Sequence, residues 1–307
     1  IIINKSIKVA IIGLGVQGYK RRETAGKNYF ASIDPFNKEA DFKDIRDLNI
    51  KLFDAAIVCT PDNSKLPIIH YLLKNKKHVL VEKPLWSETI NEIKELQKLA
   101  IESGVICYTA YNHRFEPNII RMKKLLKNKT LGKLYSCRMF YGNGTARLVK
   151  SSPWRDKGKG VLVDLGSHLL DICDYWFSQK NMKFNSVCIN NFENKAPDHA
   201  IINSENKNIR IELEMTFCMW RNHFTCDILA ENGSAHIESL CKWGPAKFIT
   251  RMRKLPSGRP VEKQNIQIEN DPTWALEFEH FLYIIGSGYK TNLSKDIWIQ
   301  NTINNIE

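Results

Sequence analysis

A glycine-rich turn directly after a short apolar strand is the feature that most constrains the fold of this chain. The predicted strand, Ile7–Ile12, runs into Gly13-Leu14-Gly15-Val16-Gln17-Gly18, which has the spacing GxGxxG. In such a turn the first glycine permits the bend, the second lets the backbone approach a pyrophosphate, and the third lets helix and strand pack closely. The N–H groups of the following helix then bind the anion. The sequence therefore predicts dinucleotide contacts from Gly13, Gly15, Val16, Gln17 and Gly18.

Strands and helices alternate over the first part of the chain. Apolar segments predict further strands at Tyr29–Ile33, Ala55–Thr60, His78–Val81 and Val105–Tyr108, with helices at Leu66–Lys74 and Ser87–Ser103. Continuous apolar strands that alternate with helices are typical of a parallel sheet covered on both faces. We therefore expect an α/β fold that begins with a Rossmann domain, a doubly wound parallel sheet, over residues 1–115.

An acidic residue, Asp34, follows the second predicted strand. A carboxylate at this position would accept hydrogen bonds from the ribose hydroxyls of a dinucleotide and repel a 2′-phosphate, which favours NAD over NADP. The same residue fits an ordinary Asp-Pro turn with Pro35. NAD is the predicted cofactor, and NADP is not excluded because basic residues lie nearby. These basic residues are Lys20, Arg21, Arg22 and Lys27.

The third and fourth predicted strands also end in polar turns, at the edge of the sheet where cofactors bind. The fourth strand leads into Glu82-Lys83-Pro84. Lys83 could be an ordinary surface lysine, but a turn that proline restricts at the carboxyl end of a strand favours a site. The predicted cofactor contacts of these two turns are Thr60, Pro61, Asn63, Glu82 and Lys83.

An acid and a histidine stand four residues apart in the apolar segment GKGVLVDLGSHLLD, at Asp164 and His168. On a helix this spacing places both side chains on one face. A carboxylate can fix the tautomer of an imidazole and shift its pKa, as proton transfer near neutral pH requires. A helix start with a structural Asp–His pair fits the same spacing.

The second half of the chain, residues 116–307, predicts a separate α+β domain for substrate binding and oligomerisation. It opens with a helix at Glu116–Lys127 and closes with helices at Trp274–Ile285 and Ser294–Asn304. Consecutive strands without helices between them indicate a large, mostly antiparallel, open sheet. The predicted strands are Leu134–Tyr141, Lys183–Phe192, Ala200–Asn203, Asn208–Phe217, Phe224–Ala230 and Ala235–Glu238, with a hairpin turn at Glu231-Asn232-Gly233.

Composition excludes several classes of protein. The 307 residues carry a net charge of +12, spread over many lysines and without a nucleic-acid-binding motif. The eight cysteines form no CxxC pair, which favours a reduced, cytoplasmic protein over a disulfide framework. No apolar run approaches the ~18 residues of a membrane span. Because the other histidines lack suitable partners in the sequence, no metal site is expected.

Six motifs occur in one order: GLGVQG, TPDN, HVLVEKPL, YNHRFEP, PWR and GKGVLVDLGSHLLD. In this respect the chain resembles the glucose–fructose oxidoreductase/inositol dehydrogenase/MocA family over about residues 7–171, and more weakly beyond. The ordered EKP, NHRF and DxGSHxxD motifs carry the resemblance, which a GxGxxG alone would not. It implies a Rossmann domain, a C-terminal substrate domain, and a homo-oligomer, a dimer or tetramer.

The resemblance also implies roles for individual residues. Lys83 would contact the nicotinamide region and the reacting oxygen, while Asp164 and His168 would contact the substrate, with the histidine as acid or base. These three are the predicted catalytic residues, and all three are also predicted to bind the substrate. Trp154 and Arg155 match the family's WR pair near the cofactor, and Asn112 and Arg114 match the NHRF pair that lines the pocket. Asn112, Trp154 and Arg155 are predicted cofactor contacts, and Arg114 is a predicted substrate contact. His113 is interpreted as structural.

Two positions depart from the family pattern and bear on the substrate. Lys159 stands where the family has glycine, and Lys65 stands where it often has histidine after the TP turn. Lys159 and its basic neighbours could bind an anionic sugar or could form a solvated loop.

The predicted function is hydride transfer between a nicotinamide cofactor and a secondary alcohol or ketone of a sugar, cyclitol or nucleotide sugar. The alternatives are a non-catalytic regulator of the same fold that binds cofactor or sugar, and a reductase of non-sugar carbonyls. The presence of Lys83, Asp164 and His168 together favours the enzyme over the regulator, because a protein that only binds needs no proton acceptor.

Overall fold

The computed structural model describes residues 7–178, 182–205 and 209–306, and the chain divides into two compact units. The first unit contains the described residues up to Asn112 together with Trp274–Ile297. The second contains His113–Thr273 and the described residues from Trp298 onward. The sequence predicted one boundary after residue 115 and an uninterrupted second domain, whereas the structure returns a late segment of the chain to the first unit.

The strands and helices are labelled in chain order. The strands are β1 (Val9–Ile12), β2 (Tyr29–Ile33), β3 (Ala55–Val58), β4 (His78–Glu82), β5 (Cys107–Ala110), β6 (Leu134–Gly142), β7 (Asn185–Asn190), β8 (His199–Glu205), β9 (Arg210–Thr216), β10 (His223–Ala230), β11 (Gly233–Glu238), β12 (Ala246–Lys254) and β13 (Gly258–Gln267). The helices are α1 (Val16–Ala25), α2 (Asp62–Lys74), α3 (Ile90–Glu102), α4 (Pro117–Lys127), α5 (Ala146–Lys150), α6 (Ser167–Phe177), α7 (Thr273–Gly286) and α8 (Ser294–Asn304).

The first unit contains a parallel sheet of five strands in the order β2-β1-β3-β4-β5. Every residue of β1 and β3 is buried, as expected of strands with helices on both faces. The strand order changes direction between β1 and β3, which places the glycine turn at the carboxyl edge where such sheets bind ligands. The predicted Rossmann fold is therefore confirmed.

Alternate residues of β1 enter two different cores. Ala10 and Ile12 pack with apolar side chains of α2 and α3 on one face of the sheet. Val9 and Ile11 pack on the other face in a cluster that includes Phe278 of α7. Because α7 covers this second face, the segment that contains it belongs to the first unit although it follows the second unit in sequence.

The second unit contains a sheet of eight strands in the order β13-β12-β11-β10-β6-β9-β8-β7. Only β6 and β9 pair in parallel among these described strands, so the predicted mostly antiparallel sheet is confirmed. Buried residues alternate with exposed or half-buried ones along β10, which indicates one covered face. In the same unit, α4 and α6 are joined by a hydrogen bond of 3.0 Å from Trp176 Nε1 to the Ile119 carbonyl.

The structure differs from the sequence prediction at several boundaries. Helix α2 begins at Asp62 rather than Leu66. Helix α3 begins at Ile90 rather than Ser87, because Thr89 and Glu92 form a capping box. Strands β12 and β13 were not predicted. Nearly all of β13 is exposed, so it lacks the apolar alternation from which strands are recognised. The first residue of the predicted strand Asn208–Phe217 lies outside the described residues.

The described part of the chain contains no helix long and apolar enough to cross a membrane. All eight cysteines are free thiols. Within the same described residues, no three His, Cys, Asp or Glu side chains are grouped so as to hold a metal ion. The cytoplasmic location stays a prediction.

Candidate functional site

The glycine turn of the first unit has the geometry that a pyrophosphate requires. Gly13 has a φ of +89°, and a Cβ there would lie 2.9 Å from the Cys59 carbonyl oxygen. A Cβ on Gly18 would lie 2.0 Å from the oxygen of Gly13. Gly15 is exposed, precedes α1 and gives its first turn no side-chain cap. The first N–H groups of α1 can therefore receive an anion, and the turn fits a dinucleotide.

Asp34 combines the two arrangements that the sequence left open. One oxygen, Oδ2, accepts a 2.8 Å hydrogen bond from the backbone N–H of Leu14 inside the glycine turn. The other, Oδ1, accepts from Phe36 at 2.8 Å and from Asn37 at 2.9 Å, which closes the Asp-Pro turn. Partial burial opposes ionisation, but these three backbone donors outweigh it and lower the pKa of Asp34. A carboxylate is thus fixed beside the glycine turn.

Arg21, one of the basic residues that left NADP open, is engaged in a buried network. Its guanidinium pairs with Glu82 at 2.5 Å and with Glu277 at 2.8 Å, and the Arg21 side chain is 1% exposed. It also lies 4.2 Å from the ring centroid of Trp274. Arg22 lies over an aromatic ring of its own helix. Arg21 is therefore buried and paired inside the protein, and its charge is not available to a cofactor phosphate.

The turn that carries Lys83 is fixed by a second buried cation. Lys65 is 3% exposed, and its Nζ donates to the carbonyl oxygens of Glu82 at 3.1 Å and Pro84 at 3.0 Å. A third bond of 2.7 Å reaches Asp62 Oδ1. The three donors of the ammonium group are thus matched by three acceptors, two of which flank Lys83. The structure places Lys83 at the carboxyl end of β4, as predicted.

In the second unit, the segment before His168 is not a regular α-helix. Leu162–Gly166 forms a π-helical turn, and α6 begins at Ser167. Asp164 therefore lies in the wider turn and His168 in the first turn of α6, which modifies the single helical face assumed from their spacing. π-Helical turns are frequent at functional sites.

Asp164 is paired with Arg155. Arg155 Nη2 lies 3.3 Å from Asp164 Oδ2, and the two side chains are 30% and 35% exposed. This contact joins the PWR and DxGSH motifs, which were predicted to serve cofactor and substrate separately. The neighbouring Trp154 is exposed. The cofactor role predicted for this tryptophan and arginine stays a prediction.

Arg114 forms a dense ion-pair network. Its Nε donates to both carboxylate oxygens of Asp171, at 2.9 and 2.7 Å, and its Nη2 donates to Asp174 at 3.1 Å. The guanidinium also lies 5.1 Å from the ring centroid of Tyr175. These contacts tie the NHRF segment to α6. The substrate contact predicted for Arg114 stays a prediction, as does the cofactor contact of the buried Asn112.

Lys159 contacts the main chain. Its Nζ donates a 2.5 Å hydrogen bond to the carbonyl oxygen of Ile306 within the second unit. This bond supplies a structural role that neither sequence hypothesis included. The predicted substrate contact of Lys159 would have to share its ammonium group with this carbonyl.

Three side chains around His168 were missed by sequence reasoning. His113, which was interpreted as structural, stacks on His168 with ring centroids 4.1 Å apart and planes at 20°. Lys242 Nζ lies 3.2 Å from His113 Nε2. Tyr141 meets the His168 ring edge-on at 6.0 Å, and burial raises the pKa of its phenol. His113 belongs to the NHRF motif, whereas no sequence signal marks Lys242 or Tyr141, which are distant in the chain.

Two family models match successive parts of the chain. Residues 7–111 match the model of an oxidoreductase family with an NAD-binding Rossmann fold, and residues 119–236 match the C-terminal domain of the same GFO/IDH/MocA family. The chain belongs to the Gfo/Idh/MocA oxidoreductase family. The resemblance inferred from the ordered motifs is confirmed.

A curated relative is similar over part of the chain. The chain is 31% identical over 134 residues to the myo-inositol 2-dehydrogenase of Thermotoga maritima, which covers 43% of this chain and 37% of that protein. The chain spans less than half the length of the first curated relatives it matches.

Solved structures share the fold over nearly the whole chain. An oxidoreductase of Desulfitobacterium hafniense, described as NADPH-dependent, superposes with a TM-score of 0.84 at 15% identity and covers 98% of this chain and 94% of its own. A levoglucosan dehydrogenase in complex with NADH and levoglucosan gives a TM-score of 0.81 at 18% identity, with 97% and 95% covered.

Proposed function

We propose that this protein is an NAD-dependent oxidoreductase that transfers a hydride between nicotinamide and a secondary alcohol or ketone of a sugar, cyclitol or nucleotide sugar. The observation that carries the proposal is that one chain of an oxidoreductase family contains both a dinucleotide-type glycine turn, in its first unit, and a buried His168, in its second. The named relatives act on an inositol and on a sugar, which supports the substrate class.

The first unit would hold the cofactor. The first turn of α1 would bind the pyrophosphate, and Asp34 would face the adenosine ribose. Thr60, Pro61 and Asn63, at the end of β3 and the start of α2, would extend the same edge. When bound, the nicotinamide supplies the acceptor or donor of the hydride. The residues present therefore fit a dinucleotide.

Oxidation of a secondary alcohol requires a base for the hydroxyl proton and stabilisation of charge on the oxygen. Neutral His168 would accept the proton. The carboxylate of Asp164, four residues earlier in the sequence, would stabilise the imidazolium. The Lys83 ammonium would stabilise negative charge on the reacting oxygen, and in the reverse direction it would polarise the carbonyl. The Lys65 bonds on both sides of Lys83 support this role because they limit backbone movement there.

Asp34 supports NAD over NADP. Its carboxylate is held ionised by three backbone donors, so a 2′-phosphate beside it would meet a fixed negative charge. Arg21, one of the basic residues that could offer a counter-charge, is buried with Glu82 and Glu277. NAD is therefore the proposed cofactor.

The decisive experiment is a panel of sugars, cyclitols, sugar phosphates and nucleotide sugars, each tested with NAD⁺ and NADP⁺. Formation of the reduced cofactor is followed by its ultraviolet absorbance. Turnover of at least one sugar-like alcohol supports the proposal. Tight cofactor binding without turnover of any compound, in either direction, would indicate a regulator that binds without catalysis.

The role of His168 has its own test. His168→Ala is expected to lower kcat by roughly 10²–10⁴-fold, because general-base catalysis contributes about that much. Cofactor affinity, measured by quenching of protein fluorescence, should change little. Equal kcat values for the variant and the wild type would remove His168 from the proposed mechanism.

We propose that Lys159 binds the anionic group if the substrate is a charged sugar. Charge reversal at Lys159 should raise KM for anionic sugars and leave KM for neutral sugars unchanged. Lys159→Met serves as the control for loss of the bond to the Ile306 carbonyl. If both variants change KM equally for neutral and anionic sugars, the lysine acts through the fold.

A homo-oligomer is proposed from the uncovered face and edge of the eight-stranded sheet. Large apolar side chains are about half exposed or more on its strands: Tyr135, Val187, Leu229, Val261 and Ile266. A broad sheet with exposed apolar side chains offers a surface to a second copy of the chain, and the resemblance to the family implies a homo-oligomer. Light scattering coupled to size-exclusion chromatography should give a dimer or tetramer, and a monomer at micromolar concentration would contradict the proposal.

A further inference from the structure

His168 and His113 form a buried stacked pair in the second unit. Their ring centroids lie 4.1 Å apart with an angle of 20° between the planes, and the residues are 6% and 2% exposed. Buried side by side, two imidazoles resist carrying a proton each, because two like charges would meet in a medium of low polarisability. The protonation of one ring therefore depends on the state of the other.

Lys242 determines the state of His113. Its Nζ lies 3.2 Å from His113 Nε2. An ammonium group only donates hydrogen bonds, so Nε2 must accept and the proton of His113 must reside on Nδ1. Lys242 also lies 4.8 Å from the ring centroid of Trp243, a contact that favours the charged form. His113 is thus a neutral ring with a fixed cation at its edge.

Other charged and titratable groups face this pair within the second unit. Asp164, in the π-helical turn before α6, favours an imidazolium at His168, but Arg155 lies 3.3 Å from its carboxylate and weakens that effect. From β6, Tyr141 meets the His168 ring edge-on and the His113 ring at a tilt of 54°, and burial raises the pKa of its phenol so that it stays neutral. On α6, Asp171 and Asp174 are occupied by Arg114.

We propose that Lys242 and His113 are positioning residues that keep His168 neutral and ready to accept a proton. A proton on His168 would place a second positive charge against a ring whose Nε2 already faces the Lys242 ammonium. The free base is therefore favoured, and the Asp164 carboxylate, which is already paired with Arg155, offsets only part of this effect. This inference rests on the proposed role of His168 as the base.

The protonation of His168 can be measured without any substrate. Histidine side chains are labelled with ¹⁵N, and the titration midpoint of each ring is followed by long-range proton–nitrogen spectra, with His168→Gln used for assignment. In Lys242→Met the midpoint of His168 should rise by about 1 pH unit, which corresponds to removal of one charge roughly 6–8 Å from the ring at an effective dielectric constant of about 30–40. Lys242→Arg keeps the charge and should leave the midpoint within about 0.2 pH unit.

A second variant protects the test against a folding defect. His113→Phe retains a flat ring against His168 but cannot accept from Lys242, so the ammonium is no longer fixed at the ring edge and a smaller rise is expected. The double variant should show the rise of Lys242→Met and no more, because the charge that His113 fixes is already absent. An unchanged midpoint in Lys242→Met, an equal rise in Lys242→Arg, or a rise in the double variant that exceeds that of Lys242→Met would each overturn the proposal.

Kinetics give an independent measure once a substrate is in hand. The acid limb of the pH profile of kcat/KM should move with the spectroscopic midpoint, while kcat on the alkaline plateau stays within about 3-fold of the wild type. A purely structural role would lower kcat at all pH values and leave the limb in place. If no substrate turns over, the proposed function is contradicted. The titration of His168 needs no substrate and still tests the effect of Lys242.

Discussion

In the wild type, the free energy of unfolding should fall as the pH rises toward neutrality, because Glu277 is buried. Glu277→Gln should abolish this fall. Glu277 lies on α7, is fully buried, and shares the guanidinium of Arg21 with Glu82. Burial raises the pKa of Glu277 to about 7, against the attraction of Arg21, and the negative charge of Glu82 adds to the rise. One arginine thus serves two carboxylates.

The size of the effect follows from the two pKa values. An ordinary glutamate has a pKa of 4.5, and the gap to about 7 in the folded protein corresponds to about 3 kcal/mol. The folded state binds the proton more tightly than the unfolded chain does. The stabilisation is therefore complete below pH 4.5 and is lost as the pH rises to about 7. A glutamine cannot ionise, but its amide oxygen can still accept from Arg21.

Urea unfolding at pH 5 and pH 8, followed by far-ultraviolet circular dichroism, measures this difference. Relative to the wild type, Glu277→Gln should gain about 2–3 kcal/mol of unfolding free energy between the two pH values. Glu279→Gln removes an exposed carboxylate from the same helix and should show no such gain. A Glu277→Gln protein that is less stable than the wild type at pH 8 would show that Arg21 needs both carboxylates, and the reasoning would be refuted.

Three further predictions concern the cofactor unit. Lys65→Met should lower kcat by about 10²-fold with little change in NAD affinity, because the ammonium bonds to the carbonyl oxygens of Glu82 and Pro84 would be lost. Lys65→Arg keeps the charge and should recover part of the rate. Gly18→Ala should weaken NADH binding and lower the melting temperature, because its Cβ would lie 2.0 Å from a backbone oxygen; an unchanged melting curve would contradict this. Asp34→Asn keeps the shape of the side chain but removes its charge, so the ratio of NADP to NAD affinity, measured by fluorescence titration, should rise about 10-fold.

Local patterns predicted the parts of the fold that depend on neighbouring residues. The glycine turn and the alternating strands of the first unit follow from the order of residues, and β2 and α8 have the predicted bounds. Strand β13 could not be recognised because nearly all of its residues face solvent. Its position follows from pairing with β12, which a pattern of polar residues does not encode.

In the candidate site, too, the residues in motifs could be predicted, whereas those that act through contacts distant in the chain could not. His168 and Lys83 stand in motifs, so the sequence could single them out. Lys65 stood out only as a departure from the family pattern, and its role depends on carbonyl groups that lie far from it in the chain. Lys242 contacts His113 across more than a hundred intervening residues, and only the folded backbone brings the two together.

The return of α7 to the first unit sets an order of events during synthesis. Phe278, Phe281 and Ile284 are nearly fully buried in the core beneath β1. Burial of three such side chains contributes roughly 5–9 kcal/mol. A growing chain can therefore cover this face of its cofactor-binding sheet only after His113–Thr273 of the second unit has been synthesised. The five strands of the dinucleotide-binding unit are made first, but their second core waits for a helix that is translated more than 160 residues after β5.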